Sequence, residues 1–119
     1  MTPQELEDRL IRYAVRCTLL CRELPTNQYF DAKHVAGQLI RSATHPAFHY
    51  PEARAAESTK DLIHKQKVLL KELRESKAQL TYIECMAYFP VGQVTDLLEE
   101  ANQLVAIFLS PTKKLTSRI

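Results

Sequence analysis

The sequence predicts an all-α protein, an antiparallel up-down-up-down four-helix bundle, and three observations predict it. Apolar residues recur at spacings of three and four along four separate stretches. Two of those stretches open with a capping box, a Thr or Ser followed three residues later by an acid. Glycine occurs only twice, at Gly37 and Gly92, too sparingly to supply hairpins and tight sheet turns. Four amphipathic helices joined by short turns fold most economically as a bundle.

The first helix starts at Thr2 as N-cap, with Pro3 at the first helical position and Glu5 closing the box. Its apolar stripe runs from Leu6 through Leu10, Tyr13, Cys17 and Leu20 to Leu24, and Pro25 ends it. The second helix begins near Tyr29 and carries Ala36, Leu39, Ile40 and Ala43. Pro46 and Pro51 each remove a backbone donor and crowd the preceding turn, so a break or kink is expected between Thr44 and Pro51. Phe48, Tyr50, Tyr88 and Phe89 lie near predicted breaks, where they are expected to stay exposed unless a partner covers them.

Ser58 and Asp61 open the longest helix, expected over about Ser58 to Tyr88. Leu62, Gln66, Leu69, Leu73, Ser76, Leu80, Ile83 and Ala87 make a three-four seam of the kind that packs at the shallow angle of bundles. Ile63 and Leu70 widen it towards a second neighbour. Pro90 breaks the chain, and the fourth helix presents Val94, Leu97, Leu98, Ala101, Leu104, Val105 and Phe108. Pro111 is expected to stop it. One bundle over residues 1–110 and a flexible basic tail over 111–119 follow.

A chain of 119 residues with 45% hydrophobic and 25% charged residues is long enough to bury a core unaided. The net charge of +2 is too small to argue for nucleic acid by itself, so only a local cluster carries that point. Cys17, Cys21 and Cys85 are odd in number and lie in helical patterns, as expected of buried thiols in a reducing cytosol. "MTPQELEDRL" is charged where a signal peptide is apolar, and no run reaches the roughly 18 apolar residues of a membrane span. A cytoplasmic protein without membrane contact is expected.

The segment "LIRSAT…EARAAESTKDLIHK…LLKELRES" resembles the four-helix-bundle family encoded by intervening sequences within bacterial 23S ribosomal RNA genes. The matching pieces are Leu39 to Thr44, Glu52 and Ala53, Ala56 to Ser58, Asp61 to Lys65, and Lys71 with Glu72. The resemblance implies a bundle assembled as a ring-like homopentamer with no established catalytic activity. That family is in turn similar to the accessory variability protein of diversity-generating retroelements, a basic pentamer that binds nucleic acid. Residues 45–49, "HPAFH", depart from the small-residue turn of the relatives, such as "SIGAN", and so from the bend that turn makes in the second helix.

Lys60, His64, Lys67, Lys71 and Arg74 follow one another at spacings of four, three, four and three, opposite the leucine seam. Such a row either engages phosphates along a nucleic-acid backbone or is the charged face any bundle helix shows to water. Glu72 and Glu75 flank it, and no aromatic is interleaved within it to stack bases. Asp61, Lys65 and Glu72 lie on the flank between row and seam. They are read either as intersubunit ion pairs, with Ile63 and Leu70 beside them, or as intrahelical pairing of Asp61 with Lys65.

Cys17-x3-Cys21 and His45-x3-His49 have the residue types of a zinc site. The 23 residues between Cys21 and His45 exceed finger spacing, and both cysteines sit in the first helix's apolar stripe. Cys85 is placed to pack beside Ile83 and Met86. There is no phosphate-binding glycine loop, nucleophile elbow or paired Glu-x-x-His motif, so no catalysis and no cofactor are expected. The expected function is a non-enzymatic homo-oligomeric module with RNA, or DNA, as its favoured partner. The alternative is a purely structural or protein-binding scaffold.

Overall fold

The computed structural model describes the backbone of residues 1–117 and the side chains of residues 1–109. Four helices follow in order: α1 (Pro3–Glu23), α2 (Phe30–Arg54), α3 (Thr59–Met86) and α4 (Thr95–Ser117). Each packs on its neighbours in sequence, and α1 closes the square against α4, which is the up-down-up-down bundle. The molecule is a rod of 49 × 22 × 22 Å. Among the described residues, no helix is long and apolar enough to cross a membrane.

The capping box of α1 forms as the sequence indicates, whereas at α3 only the Ser58 half forms, and the Asp61 carboxylate accepts instead from the Glu57 amide. The Glu5 amide donates to Thr2 Oγ1 at 3.1 Å, and the Thr2 amide donates back to the Glu5 carboxylate. At α3 the Asp61 amide donates to Ser58 Oγ at 3.1 Å. The helix ends at Met86, two residues short of the expected Tyr88, because Ala87 turns into the left-handed region at φ 55°.

The break expected between Thr44 and Pro51 does not occur, for α2 runs through both prolines to Arg54. A proline inside a helix costs about 3 kcal/mol or more. Burial offsets that cost here, since Pro46, Ala47, Tyr50 and Ala53 all face the core. Tyr50 lies edge-on to Phe108 of α4 with ring centroids 5.8 Å apart, so it is buried rather than exposed. Tyr88 and Phe89 are half-buried, with the Tyr88 hydroxyl donating to Asp31, and Phe48 alone of the four stays exposed. The expected stop at Pro111 is likewise absent, as α4 extends to Ser117. The flexible tail proposed for 111–119 concerns residues whose side chains lie outside the described residues.

The core draws mostly on the four predicted stripes, although Ile40 and Ala87 of those stripes are exposed and Ala32, Val35, Ala47, Tyr50 and Ala53 of α2 join it. Leu10, Tyr13 and Cys17 of α1 meet Leu39 of α2, Leu73, Leu80 and Ile83 of α3, and Leu104 and Phe108 of α4. Across its diagonal the Tyr13 hydroxyl lies 2.7 Å from Ser76 Oγ, and Ser76 donates to the Leu73 carbonyl at 2.7 Å. A serine hydroxyl has one proton, so Tyr13 is the donor in the first bond. At the α1–α4 seam the Arg9 guanidinium forks onto Glu100 at 2.6 and 2.8 Å and reaches Gln103 at 2.6 Å.

Burial pushes the Cys17 thiol up to about 12 and the Cys21 thiol up to about 11, whereas Cys85 is exposed rather than packed as expected. At pH 8 a thiol reagent is therefore expected to label one cysteine of the native chain and all three after denaturation; fast labelling of three in the native state would contradict this burial. Because both folded values exceed the unfolded value of 9, the native state holds more protons between pH 9 and 12. Stability from these thiols is complete below pH 9 and is lost as pH rises through 11 to 12.

Candidate nucleic-acid interface

The α3 helix turns its leucine seam inward, and its opposite side becomes the outermost line of the bundle. Lys60, His64, Lys67, Lys71 and Arg74 are all exposed there. At a rise of 1.5 Å per residue, the row spans about 21 Å with one side chain every ~5 Å. Among the described residues, no ion pair takes up Lys60, Lys67, Lys71 or Arg74. Glu75 lines one surface depression with Lys67, Lys71 and Arg74 without reaching ion-pair distance of them.

Beyond Arg74 the same line continues through Ala78 to Tyr82, which is 43% exposed. An open depression bordered by Lys67, Lys71 and Arg74, with Leu70 and Ala78 in its floor, leads into a larger groove of about 680 Å³ between α2 and α3. That groove is lined by His34, Arg41, Glu75 and Tyr82 among others. Thus α2 adds a second arginine and a second histidine to those of the row, and Tyr82 supplies an aromatic face at its end. Arg41 Nη2 also donates to Gln38 Oε1 at 3.0 Å on the groove wall. The antiparallel register of α2 and α3, anchored by His45–Glu72 and Asp31–Tyr88, brings these residues together. Sequence periodicity places Tyr82 on the row but does not give that register.

The flank residues find partners within the subunit. Lys65 Nζ donates to both Asp61 carboxylate oxygens at 2.6 and 2.7 Å, the intrahelical alternative. That hydrogen bond, foremost, holds the Asp61 carboxyl below the usual carboxylate range. Glu72 turns towards α2, where its Oε2 meets His45 Nδ1 at 2.6 Å and its buried Oε1 has no partner. Ile63 and Leu70 are 6% exposed and covered by the chain itself.

The His-x3-His and Cys-x3-Cys pairs stay apart in chemistry. His45 and His49 stack at 5.2 Å with His45 engaged by Glu72, while the Cys21 thiol contacts the Ala36 carbonyl at 3.6 Å. Among the described residues, no three His, Cys, Asp or Glu side chains are grouped closely enough to hold a metal ion.

No protein-family model and no curated protein sequence matches the chain. Among solved structures it is similar to a protein of unknown function from the S23 ribosomal protein family of Bacteroides thetaiotaomicron. The two share 23% identity with a TM-score of 0.82, over 95% of this chain and 99% of that one. This likeness shows the fold alone, the four-helix bundle described above.

Proposed function

We propose that the protein is a non-enzymatic, homo-oligomeric module that binds nucleic acid, RNA foremost, along the outer face of α3. The observation that carries the reading is the exposed row Lys60, Lys67, Lys71 and Arg74, which no ion pair among the described residues takes up, leading to Tyr82. Cations spaced about 5–10 Å apart along the helix release counterions from a phosphate backbone, and an exposed ring at the end of the row stacks an unpaired base. The ribosomal-protein name of the similar solved structure supports the same partner class. The resemblance to the intervening-sequence proteins supports self-association, with five as the number of copies. Five copies of the row multiply weak contacts into useful avidity.

The test is a salt titration of binding to a single-stranded RNA of mixed sequence and to duplex DNA. Replacing Lys67, Lys71 and Arg74 together with glutamine is expected to weaken binding and to flatten the salt slope by about one unit per cation removed. Helicity should be unchanged, since none of the three is buried. Tyr82→Ala is expected to weaken single-stranded RNA by about 5- to 100-fold while sparing duplex DNA. No binding even at low salt, or a triple variant with unaltered affinity, returns the row to a solvated helix face and favours the protein-binding scaffold.

A further inference from the structure

The α1 helix is apolar on two opposite sides. One side is its core stripe; the other is the row Ile11, Val15 and Leu19, exposed by 46%, 50% and 49%. At 100° per residue these three fall within roughly 80° of one another, directly opposite Leu10, Tyr13 and Cys17. A helix with this pattern belongs to a buried environment, yet among the described residues α1 packs on α2 and α4, and through Tyr13 reaches Ser76 of α3, all on its other flanks. Phe48 of α2, 67% exposed, stands beside the row and walls a groove of about 270 Å³ against it.

We infer that a second copy of this chain covers this face, with α1 packed antiparallel on α1 about a two-fold axis through Val15. The charge pattern selects both the occupant and the direction. Asp8, Ile11, Val15 and Arg22 lie in the same outward sector at spacings of three, four and seven, a heptad seam. Antiparallel pairing centred on Val15 sets Asp8 against Arg22 of the second copy, and does so twice, once at each end. It also sets Ile11 against Leu19 of the second copy. Parallel packing would oppose Asp8 to Asp8 and Arg22 to Arg22, which repel.

The α1–α2 register, fixed by Arg54 on Glu7 at 3.4 Å and by Cys21 on Ala36, brings Phe48 level with Ile11. The incoming Leu19 therefore meets Ile11 and Phe48 together and fills the groove. An isologous contact closes on itself, whereas a ring is built from head-to-tail contacts, so this contact is additional to any ring. The inference rests on the proposed self-association and is independent of nucleic-acid binding.

The full chain, examined by sedimentation equilibrium, should show species containing paired copies of the 13.7 kDa subunit. Val15→Glu should weaken the pairing by at least about a hundredfold. Because Val15 is half exposed, circular dichroism should remain that of the wild type. Asp8→Arg or Arg22→Asp alone should weaken it by about tenfold, and the two together should restore it. In a Cys85→Ser background, Val15→Cys should form a disulfide-linked dimer on mild oxidation, because only a two-fold axis at this position brings the two sulfurs together. A wild-type oligomer that Val15→Glu leaves intact overturns this interface while self-association stands. A wild-type monomer throughout the micromolar range overturns both.

Discussion

Replacing Leu73 with alanine is expected to destabilise the bundle by about 2–5 kcal/mol. Leu73 is fully buried in the core cluster to which all four helices contribute side chains. Removing it takes away the transfer free energy of its side chain and leaves a cavity that the rigid helix backbones close only in part. A denaturant titration should show a lower midpoint with an unchanged slope. A loss under about 1 kcal/mol would mean that the surrounding leucines collapse into the space, and that the seam is softer than its burial indicates.

The second large effect concerns the polar bond inside this apolar core. Ser76→Ala removes the acceptor of the Tyr13 hydroxyl, which has no route to water because Tyr13 is fully buried. Its remaining neighbour is the Cys17 thiol, a weak hydrogen-bonding group, and a buried hydroxyl left so poorly paired costs about 1–3 kcal/mol. Tyr13→Phe should cost less, because Ser76 keeps its bond to the Leu73 carbonyl. Once Tyr13 is phenylalanine, Ser76→Ala should cost less than it does in the wild type. The double variant is thus expected to be more stable than the two single losses sum to, by about 1 kcal/mol, a coupling that a double-mutant cycle measures directly. Strict additivity would show that the pair shares no energy. The same environment drives the Tyr13 phenol far above its ordinary pKa, burial being the main cause.

Much of this architecture is legible in the sequence because local chemistry and tertiary packing agree. Thr2, Glu5, Ser58 and Asp61 mark helix starts through bonds made within one turn. The leucines of α3 repeat over nearly the whole helix, so one or two misplaced residues leave the seam intact. The second helix reads poorly for the opposite reason. Its local rule, proline as a helix breaker, is overridden by burial that only the folded neighbours provide.

The candidate site divides in the same way. The row from Lys60 to Arg74 lies on one helix and is visible as spacing, and all five side chains are exposed. Arg41 and His34 join it through the register of α2 on α3, which no single-helix pattern encodes. Ile11, Val15 and Leu19 pass unnoticed because the inward stripe of α1 already accounts for a core helix. A second apolar row shows itself only when the solvent side is asked to be polar. Cys85 escapes for a related reason, since a helical spacing beside Ile83 fixes a rough direction and not the depth of cover.

The passage of α2 through Pro46 and Pro51 has a consequence for the order in which the protein assembles. The residues from Thr44 to Arg54 carry two prolines and no side-chain cap at the helix start that precedes them, so they have little tendency to coil by themselves. Their helix exists in the company of the surfaces that bury Pro46, Ala47, Tyr50 and Ala53. On a growing chain, α1 and the first half of α2 can pair early. The remainder of α2 then has α1 beside it, through Arg54 on Glu7 and Phe48 beside Ile11, but its Tyr50 gains its aromatic partner only when Phe108 of α4 has emerged. Four helices drawn as equal partners are therefore unequal in time, and the half-helix whose core contacts are completed last is the one that carries Phe48 to the face beside Val15.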